Sequence, residues 1–450
     1  RLPRICAALL AGAMLLSACG GAPSSAGTGA SASTAASTSS SEAAGVPNAD
    51  LLVSVWGGPH ADVQKSVVQS YPNGTVTIDD VDFGNLQAKQ LTSFGAQAGS
   101  GNYDVVWLDS KWVGQYVEAG YLLPLDEYID KLGVDTSMYA AGLLDGCKVD
   151  GKLYGLPTYA QSLILCYDTQ AFEQAGLDVP TNMNELIEVA KYFKAQGSGI
   201  ALPAKQGSAS ITVFSQMLYS DGNDYFDADG NLALTSDAVV QAATWYDELV
   251  ANSVDGCTAW HHDEVAEAVR TKKAPIGIVM SALCNQNYDE EKSLVADTVA
   301  YAPLAGASGN AAAANSFWVW GVAANSANPE TAADFCAWMT SPEVEKQQTL
   351  ADQQISAISA LSEDAEVLEV TPFLPVVMEQ LDNGKSDPQT ASFAELKNHL
   401  QAALLLLGKL GHRIDGTAVF DRSNSRDRLH ALPHAHSRAA VRLHVRLAVG

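Results

Sequence analysis

Two polar residues, Asp109 and Ser110, follow directly after the near-continuous apolar run 103–108. An apolar run of this kind is typical of a strand buried in a parallel sheet, and a helix is predicted to begin where the run ends. In open α/β sheets, ligands bind at the carboxyl ends of such strands. The sequence therefore predicts that Asp109 and Ser110 contribute to a binding site.

The residue types that carry out catalysis or bind metals lack the spacing that either role requires. His261 and His262 are neighbours whose rings we expect to diverge, and no third ligand stands at metal-binding spacing. The segment 227–231 differs from a calcium loop, because its glycine comes too early and no glutamate closes the loop, so we predict a hairpin turn. The sequence has no GxSxG elbow, Walker loop or dinucleotide fingerprint. We predict a binding protein without enzymatic activity, metal or cofactor.

Five cysteines follow the first twenty residues, and no two of them have CxxC spacing. A disulfide between Cys257 and Cys284 fits a protein outside the cytoplasm. Buried free thiols fit the sequence equally well. The cysteines are Cys147, Cys166, Cys257, Cys284 and Cys336.

The first nineteen residues have the pattern of a signal peptide. Arg1 and Arg4 precede the charge-free apolar run 5–16, which is too short to span a bilayer. The run ends in Leu-Ser-Ala-Cys-Gly at 16–20, which resembles the bacterial lipobox, whose cysteine carries a lipid. We expect lipidation at Cys19, on the outer face of the bacterial cell membrane, and a true start codon upstream of Arg1.

The segment 20–48 consists mainly of Ser, Ala, Gly and Thr. Such a segment has no large side chain that could bury enough area to offset the entropy of ordering, so a disordered linker is predicted. A coil of this length has a root-mean-square reach of roughly 30 Å. That reach holds a folded domain close to a membrane partner and raises its effective concentration there.

The composition of the remaining 400 or so residues argues against a nucleic-acid-binding protein and against a disordered protein. The formal net charge is −25, and the body of the chain has no basic patch to neutralise phosphates, so we expect no nucleic-acid partner. A hydrophobic content of 47% is typical of a globular protein. This length suits two lobes, and after Cys19 no apolar segment approaches the twenty residues of a transmembrane helix.

Strand patterns and helix patterns alternate along the chain, which predicts an α/β fold. Apolar or alternating runs at 49–56, 75–81 and 103–108 predict strands. Thr181, Ser236 and Asn328-Pro329 stand immediately before runs with helical spacing and are predicted to begin helices.

Three segments together resemble the family 1 extracellular solute-binding proteins of ABC importers, the sugar-binding group that includes maltose-binding protein. The first is 101–126, with Gly-Asn-Tyr-Asp-Val-Val-Trp-Leu-Asp-Ser at its start. The second is 151–177, which opens with Gly-Lys-Leu-Tyr-Gly-Leu-Pro, and the third is 317–339, which opens with Phe-Trp-Val-Trp-Gly-Val. They occur in the order found in the family, and the resemblance covers about residues 50 to 405.

The resemblance implies a two-lobed, type II periplasmic-binding-protein fold with hinge strands between the lobes. The N-terminal lobe would comprise 49–157 and about 316–370, and the C-terminal lobe 158–315 and about 371–408. Residues 158–162 would line the hinge, and 315–321 would form the return crossing. The lobes would close on a ligand by hinge motion, and the protein, expected to be a monomer, would deliver that ligand to permease subunits.

A sugar has apolar C–H faces and hydroxyl edges, so its binding site needs aromatic platforms with carboxylates and amides beside them. The candidates for such a site are Trp56, Gly57, Asp109, Ser110, Tyr159, Gln161, Trp260 and Trp318. Trp320 is a weaker candidate than Trp318, and Trp112 could lean into the cleft or against its own lobe. Trp107, Trp245 and Trp338 are expected to pack in the core.

Two alternatives to a sugar-binding protein remain open. A secreted glycoside hydrolase also uses tryptophan platforms and needs two suitably spaced carboxylates. A binding protein for a polyamine or another cationic solute would agree with the acidic composition.

The composition changes abruptly after Gly408. The segment 409–450 is rich in Arg and holds five of the nine histidines, and it does not match the short C-terminal helix of the family. A basic tail that binds anionic lipid or nucleic acid is one interpretation. The preferred interpretation is a frameshifted or misread gene end, with a disordered tail if the segment is genuine.

Overall fold

The computed structural model describes residues 45–387 apart from 228, 230, 232 and 235, together with residues 400 and 401. The chain divides into two units, Arg1–Gly45 and Val46–Gly450, and all described residues but Gly45 belong to the second. The predicted signal peptide, Cys19, the linker up to residue 44 and the tail 409–450 lie outside the described residues. Strands and helices alternate along the second unit, which confirms the predicted α/β class.

Five strands form the first sheet, in the order β2-β1-β3-β11-β6. These strands are β1 Leu51–Trp56, β2 Val76–Val81, β3 Val105–Asp109, β6 Leu156–Gln161 and β11 Ser316–Val322. Strand β1 is parallel to β2 and β3, whereas β11 is antiparallel to both of its neighbours, β3 and β6. The carboxyl ends of β1 and β3 therefore share an edge with the start of β11, where Trp318 pairs with Asp109.

Four strands form the second sheet, in the order β10-β7-β9-β8. They are β7 Leu163–Asp168, β8 Ile200–Ala201, β9 Ile276–Met280 and β10 Val299–Ala302. A small hairpin joins β4 Lys148–Val149 to β5 Lys152–Leu153. Its turn has positive φ at Asp150 and Gly151.

The helices pack on the two sheets and on one another. They are α1 Pro59–Val67, α2 Phe83–Phe94, α3 Val113–Glu118, α4 Asp126–Leu132, α5 Ala141–Gly146, α6 Thr169–Ala175, α7 Met183–Ala195, α8 Ser208–Ser220, α9 Asp237–Ala251, α10 His262–Arg270, α11 Pro329–Met339, α12 Pro342–Asp352, α13 Ala365–Val370 and α14 Leu374–Asp382. Short 3-10 helices include Ser110–Trp112 and Ser281–Tyr288.

The predicted helix starts are confirmed in two cases and wrong in one. The Ser236 side chain accepts a hydrogen bond from the backbone N–H of Val239 and caps α9, and Pro329 begins α11. Thr181 does not cap α7, because the side chain of Asn182 accepts the capping hydrogen bond from the N–H of Glu185. Thr181 instead donates to the Glu185 carboxylate at 2.8 Å.

A single residue, Ser162, separates β6 of the first sheet from β7 of the second. Its N–H donates to Ser281 Oγ at 3.0 Å, and its carbonyl accepts from the Ser281 N–H at 2.8 Å. The chain thus crosses between the sheets within the predicted segment 158–162, and it re-enters the first sheet at Ser316. The lobe boundaries themselves stay a prediction.

The buried apolar residues form two hydrophobic cores, and the first of them includes side chains from strands of both sheets, among them Val105 and Ile164. Trp107 is fully buried in the first core, and Trp245 is only 3% exposed in the second. Trp338 packs on Tyr71 and Phe335. The packing roles predicted for these three tryptophans are confirmed.

The five cysteines of the described chain are all free and buried. The disulfide suggested between Cys257 and Cys284 is wrong, because the two thiols have other partners. Cys257 Sγ lies 2.7 Å from Ser253 Oγ, and Cys284 Sγ donates to the carbonyl of Met280. Across the described ranges, no helix is both long and apolar enough to cross a membrane.

Candidate functional site

Five rings form an aromatic cluster at the carboxyl edge of the first sheet: Trp56, Phe83, Trp107, Trp112 and Trp318. Trp318 stacks on Trp56 with ring centroids 5.4 Å apart and on Trp107 with centroids 4.4 Å apart. Phe83 lies about equally close to Trp56, Trp112 and Trp318, at 5.9 to 6.1 Å. The cluster joins the ends of β1, β3 and the start of β11 into one aromatic wall.

Exposure increases from the inner ring of this cluster to the outer ones. Trp107 is fully buried and Trp318 is 7% exposed, whereas Trp56 and Trp112 are partly exposed and Phe83 is 50% exposed. Phe83 was not predicted from the sequence, because it stands at helical spacing from Leu86, a core residue of α2. The cluster therefore presents flat apolar surface mainly through Phe83, Trp56 and Trp112.

The polar residues at the same edge are largely engaged with their neighbours. Asp109 caps the 3-10 helix that follows it, accepting from the N–H of Lys111 at 3.0 Å, and its other oxygen lies 3.7 Å from Lys111 Nζ. Ser110 is only 1% exposed. The N–H of Gly57 donates to the carbonyl of Val81, which closes the turn after β1. Asp109 and Gly57 thus fix the shape of this edge.

Tyr159 and Gln161 lie on β6, beside the aromatic cluster. The Tyr159 ring is 6.4 Å from Trp107, and its hydroxyl accepts a hydrogen bond from Gln161 Nε2 at 2.5 Å. Burial raises the pKa of Tyr159 to about 12, so its hydroxyl keeps its proton at neutral pH. That proton remains available to an acceptor.

This wall also contains a histidine that no sequence pattern singles out. His60, in the first turn of α1, has its ring centroid 4.4 Å from that of Tyr159 and 6.2 Å from that of Trp56. Its Nδ1 lies 2.5 Å from Oδ2 of Asp352 at the end of α12. No sequence signal joins residues 292 positions apart.

Trp260 directly follows the 3-10 helix Cys257–Ala259 and makes no ring contact with the five rings of the aromatic cluster. Lys273 Nζ lies 4.4 Å from the centroid of its ring. The structure brings Trp56, Asp109, Tyr159, Gln161 and Trp318 to one edge of the first sheet, whereas Trp260 belongs to neither sheet.

The prediction that the rings of His261 and His262 diverge is wrong. Their centroids are 4.5 Å apart, because His261 is extended at the N-cap position while His262 is the first residue of α10. Burial lowers the pKa of His262 to about 4, with smaller contributions from His261 and from Lys111. Lys111 follows Asp109 and Ser110 at the carboxyl edge of the first sheet, so His262 lies within electrostatic range of that edge.

The described residues contain no group of three or more His, Cys, Asp or Glu side chains arranged to hold a metal ion. Asp227 instead accepts hydrogen bonds from the N–H groups of Asp229 and Asn231. This arrangement is the predicted turn.

The sequence model of the family described as bacterial extracellular solute-binding protein matches residues 60–346. Among curated relatives, a probable amino-acid ABC transporter periplasmic-binding protein of Sinorhizobium fredii is 26% identical over 284 residues, which cover 58% of this chain and 64% of that protein. A lactose-binding protein of Rhizobium radiobacter is 28% identical over 220 residues, 44% of this chain and 49% of that protein. The chain thus spans less than two thirds of the length of either relative.

Two solved structures share the fold. An ABC transporter solute-binding protein of Agrobacterium radiobacter K84, in complex with ribitol, has a TM-score of 0.67 at 21% identity and covers 90% of this chain and 98% of its own. The maltose-bound MalE3 protein of T. maritima has a TM-score of 0.67 at 20% identity, with 89% and 99% covered. These structures confirm the two-lobed fold. The chain belongs to the bacterial extracellular solute-binding protein family.

Proposed function

We propose that this solute-binding protein captures a sugar, a sugar alcohol or a short oligosaccharide between its lobes and delivers it to the permease of an ABC importer. The observation that carries this proposal is the aromatic cluster, whose partly exposed rings stand beside the hydroxyl of Tyr159. An aromatic surface suits the C–H face of a sugar, and the polar groups suit its hydroxyls.

The charges around the cluster favour a neutral ligand over a cation or an amino acid. Asp109 is paired with Lys111, and Asp352 is hydrogen-bonded to His60. A polyamine needs carboxylates that are free to pair with it, and an amino acid needs a free partner for each of its two charges. The names of the relatives also support sugars and polyols, although one of them is named for amino acids.

A ligand panel tests this proposal by thermal unfolding. Maltose, lactose, ribitol, mannitol, spermidine and single amino acids are each added to the purified protein. A ligand that binds only the folded state stabilises it by about 2.7 kcal/mol at one hundred times its Kd. Stabilisation by a sugar or polyol supports the proposal, and stabilisation by spermidine or an amino acid alone would overturn it.

A turnover assay separates binding from hydrolysis. The sugar that binds is incubated with the protein, and the products are followed by chromatography. We expect the sugar to be recovered intact, as solute capture requires. Measurable hydrolysis would instead support the glycoside hydrolase alternative.

We also propose that a lipid on Cys19 holds the protein at the outer face of the membrane. The lipobox-like segment 16–20 and the small-residue linker 20–48 support this anchor. In cells, Cys19→Ser is expected to release the protein from the membrane fraction, whereas the control Cys6→Ser leaves it there. Equal membrane association of both variants would contradict the anchor.

A further inference from the structure

The His60–Asp352 pair is more buried than an ion pair at the protein surface. The side chains of His60 and Asp352 are only 16% and 9% exposed. Asp352 Oδ2 accepts from His60, and Oδ1 accepts from the N–H of Gln354 at 3.1 Å. Both oxygens of the carboxylate are therefore engaged, which fixes its orientation towards the imidazole.

This orientation determines where the imidazole carries its proton. A carboxylate is an acceptor only, so the neutral ring must bear its hydrogen on Nδ1 and leave Nε2 as a hydrogen-bond acceptor. Nε2 of His60 has no hydrogen-bond partner among the residues that the structure describes. An acceptor of fixed direction thus remains free inside a largely apolar wall.

The neighbours of His60 place this acceptor beside the surface proposed to bind the ligand. The ring is packed on Tyr159 and makes an edge contact with Trp56. Because the Tyr159 oxygen accepts from Gln161, the hydrogen of Tyr159 is free to be donated. The rings that carry the acceptor Nε2 and the donor Tyr159 Oη–H therefore have centroids only 4.4 Å apart, a combination that suits ligand hydroxyls, which both donate and accept.

We propose that His60 is a ligand-binding residue, positioned by Asp352, that accepts a hydrogen bond through Nε2 from a hydroxyl of the ligand packed on Trp56. The inference rests on the proposed function and refines it, because it selects ligands that present a hydroxyl donor at this point. Asp352 is a positioning residue, since its carboxylate acts on the ligand only through the imidazole.

Two substitutions of His60 distinguish the roles of its two ring nitrogens. Asn places an amide near the position of Nδ1, so His60→Asn keeps a donor for Asp352 and loses Nε2. Gln reaches the position of Nε2, so His60→Gln restores an acceptor there. For the panel sugar or polyol that binds the unaltered protein, we expect calorimetric titration to show about tenfold weaker binding by His60→Asn, the loss of one hydrogen bond, and smaller weakening by His60→Gln.

Asp352→Asn tests the positioning role through the position of the proton on the His60 ring, which a change in packing alone would not alter. Its amide can donate to Nδ1, which transfers the ring proton to Nε2 and removes the acceptor. Histidine ¹⁵N NMR of the ligand-free protein is expected to show Nε2 of His60 unprotonated before this substitution and protonated after it. Binding should weaken about tenfold.

The outcomes separate the two proposals. If no sugar or polyol of the panel binds, the proposed function fails, and this inference with it. If one binds but His60→Asn binds it as tightly as the unaltered protein, the role of His60 fails and the proposed function stands. A proton on Nε2 in the unaltered, ligand-free protein also overturns the inference.

Discussion

Thr158 donates its hydroxyl hydrogen to Oε1 of Glu345, with the two oxygens 2.5 Å apart. The Glu345 residue is completely buried. The bond joins β6, the strand that leads into the crossing, to helix α12. Burial raises the pKa of Glu345 to about 7, against the opposing effect of the Thr158 bond. The carboxyl group is therefore only partly ionised at neutral pH.

The raised pKa of Glu345 predicts a protein that loses stability as the pH rises from about 4.5 to 7. Between about pH 4.5 and 7 the folded state holds a proton that the unfolded state has released, so the free energy of unfolding falls as pH rises through this window. Above pH 7 the fall is complete, at about 3 kcal/mol from 1.36 kcal/mol per pKa unit. Glu345→Gln, which cannot ionise, is expected to gain up to this amount at pH 8 and little at pH 5, measured by urea unfolding.

The control for Glu345→Gln is Glu343→Gln, on the same helix but exposed. This change is expected to shift the free energy of unfolding by no more than about 0.5 kcal/mol at either pH. Equal stabilisation of both variants at pH 8 would attribute the effect to net charge and not to burial of Glu345.

The aromatic cluster predicts which rings a sugar needs. Phe83→Ala is expected to weaken sugar binding by roughly three- to tenfold, because one ring contact contributes about 0.5–1.5 kcal/mol. Its effect on stability should be small, since the ring is half exposed. Trp56→Ala should weaken binding at least as much. Titration calorimetry measures both, with Tyr192→Ala as control, because Tyr192 is an exposed ring on α7, outside the cluster.

The sequence predicted elements whose signals are local. The apolar run before Asp109, the Asn328-Pro329 helix start and the burial of Trp107 each follow from neighbouring residues. The two-lobed fold was predicted from the resemblance to the family, because no local sequence pattern indicates it. These predictions succeed because strand burial and helix capping depend on residues a few positions apart.

The parts of the site that sequence did not predict depend on contacts between distant segments. His60 meets Asp352 only because α1 and α12 pack together, and neither residue is unusual in its own segment. Phe83 has core spacing in α2 but contacts Trp56, Trp112 and Trp318 instead. The Thr181 prediction failed for a smaller reason, since Asn182 is an equally good cap one residue later.

His262 predicts a loss of stability in acid. Its pKa is about 4 in the folded protein and about 6.5 in an unfolded chain, so the unfolded state binds more protons between these values. Stability is then complete above about pH 6.5 and is lost as pH falls towards 4. His262→Gln should lose roughly 1–3 kcal/mol less than the unaltered protein between pH 7 and 4.

Urea unfolding at pH 7, 5.5 and 4 measures this effect. His261→Asn removes a neighbour that lowers the pKa of His262, so this variant should show a narrower pH window but not lose it. Parallel acid profiles of His262→Gln and the unaltered protein would show that other groups cause the acid sensitivity.

Gln380, on α14, connects the two places where the chain passes between the sheets. Its Nε2 donates to Ser162 Oγ at 2.6 Å and to the Leu163 carbonyl at 2.7 Å. Its Oε1 accepts from the N–H of Leu304, and its carbonyl accepts from the N–H of Ala313, two residues before Asn315. The residue is fully buried, so the groups that are bonded to its side chain find no water if an apolar side chain replaces it.

Replacing Gln380 is therefore expected to loosen the hinge as well as the fold. Gln380→Leu keeps the volume but leaves the buried N–H of Leu304 without this partner, while the Leu163 carbonyl keeps its bond from Gln216 Nε2. The expected cost is about 1–3 kcal/mol in the free energy of unfolding. Gln348→Leu is the matched control, because its side chain donates only two hydrogen bonds of 3.4 Å, to the carbonyls of Met339 on α11 and Val344 on α12. Small-angle scattering with and without the bound sugar measures lobe closure. A hinge role requires Gln380→Leu to change the ligand-dependent radius of gyration while Gln348→Leu does not, whereas equal radii with equal loss of stability would reduce Gln380 to a packing residue.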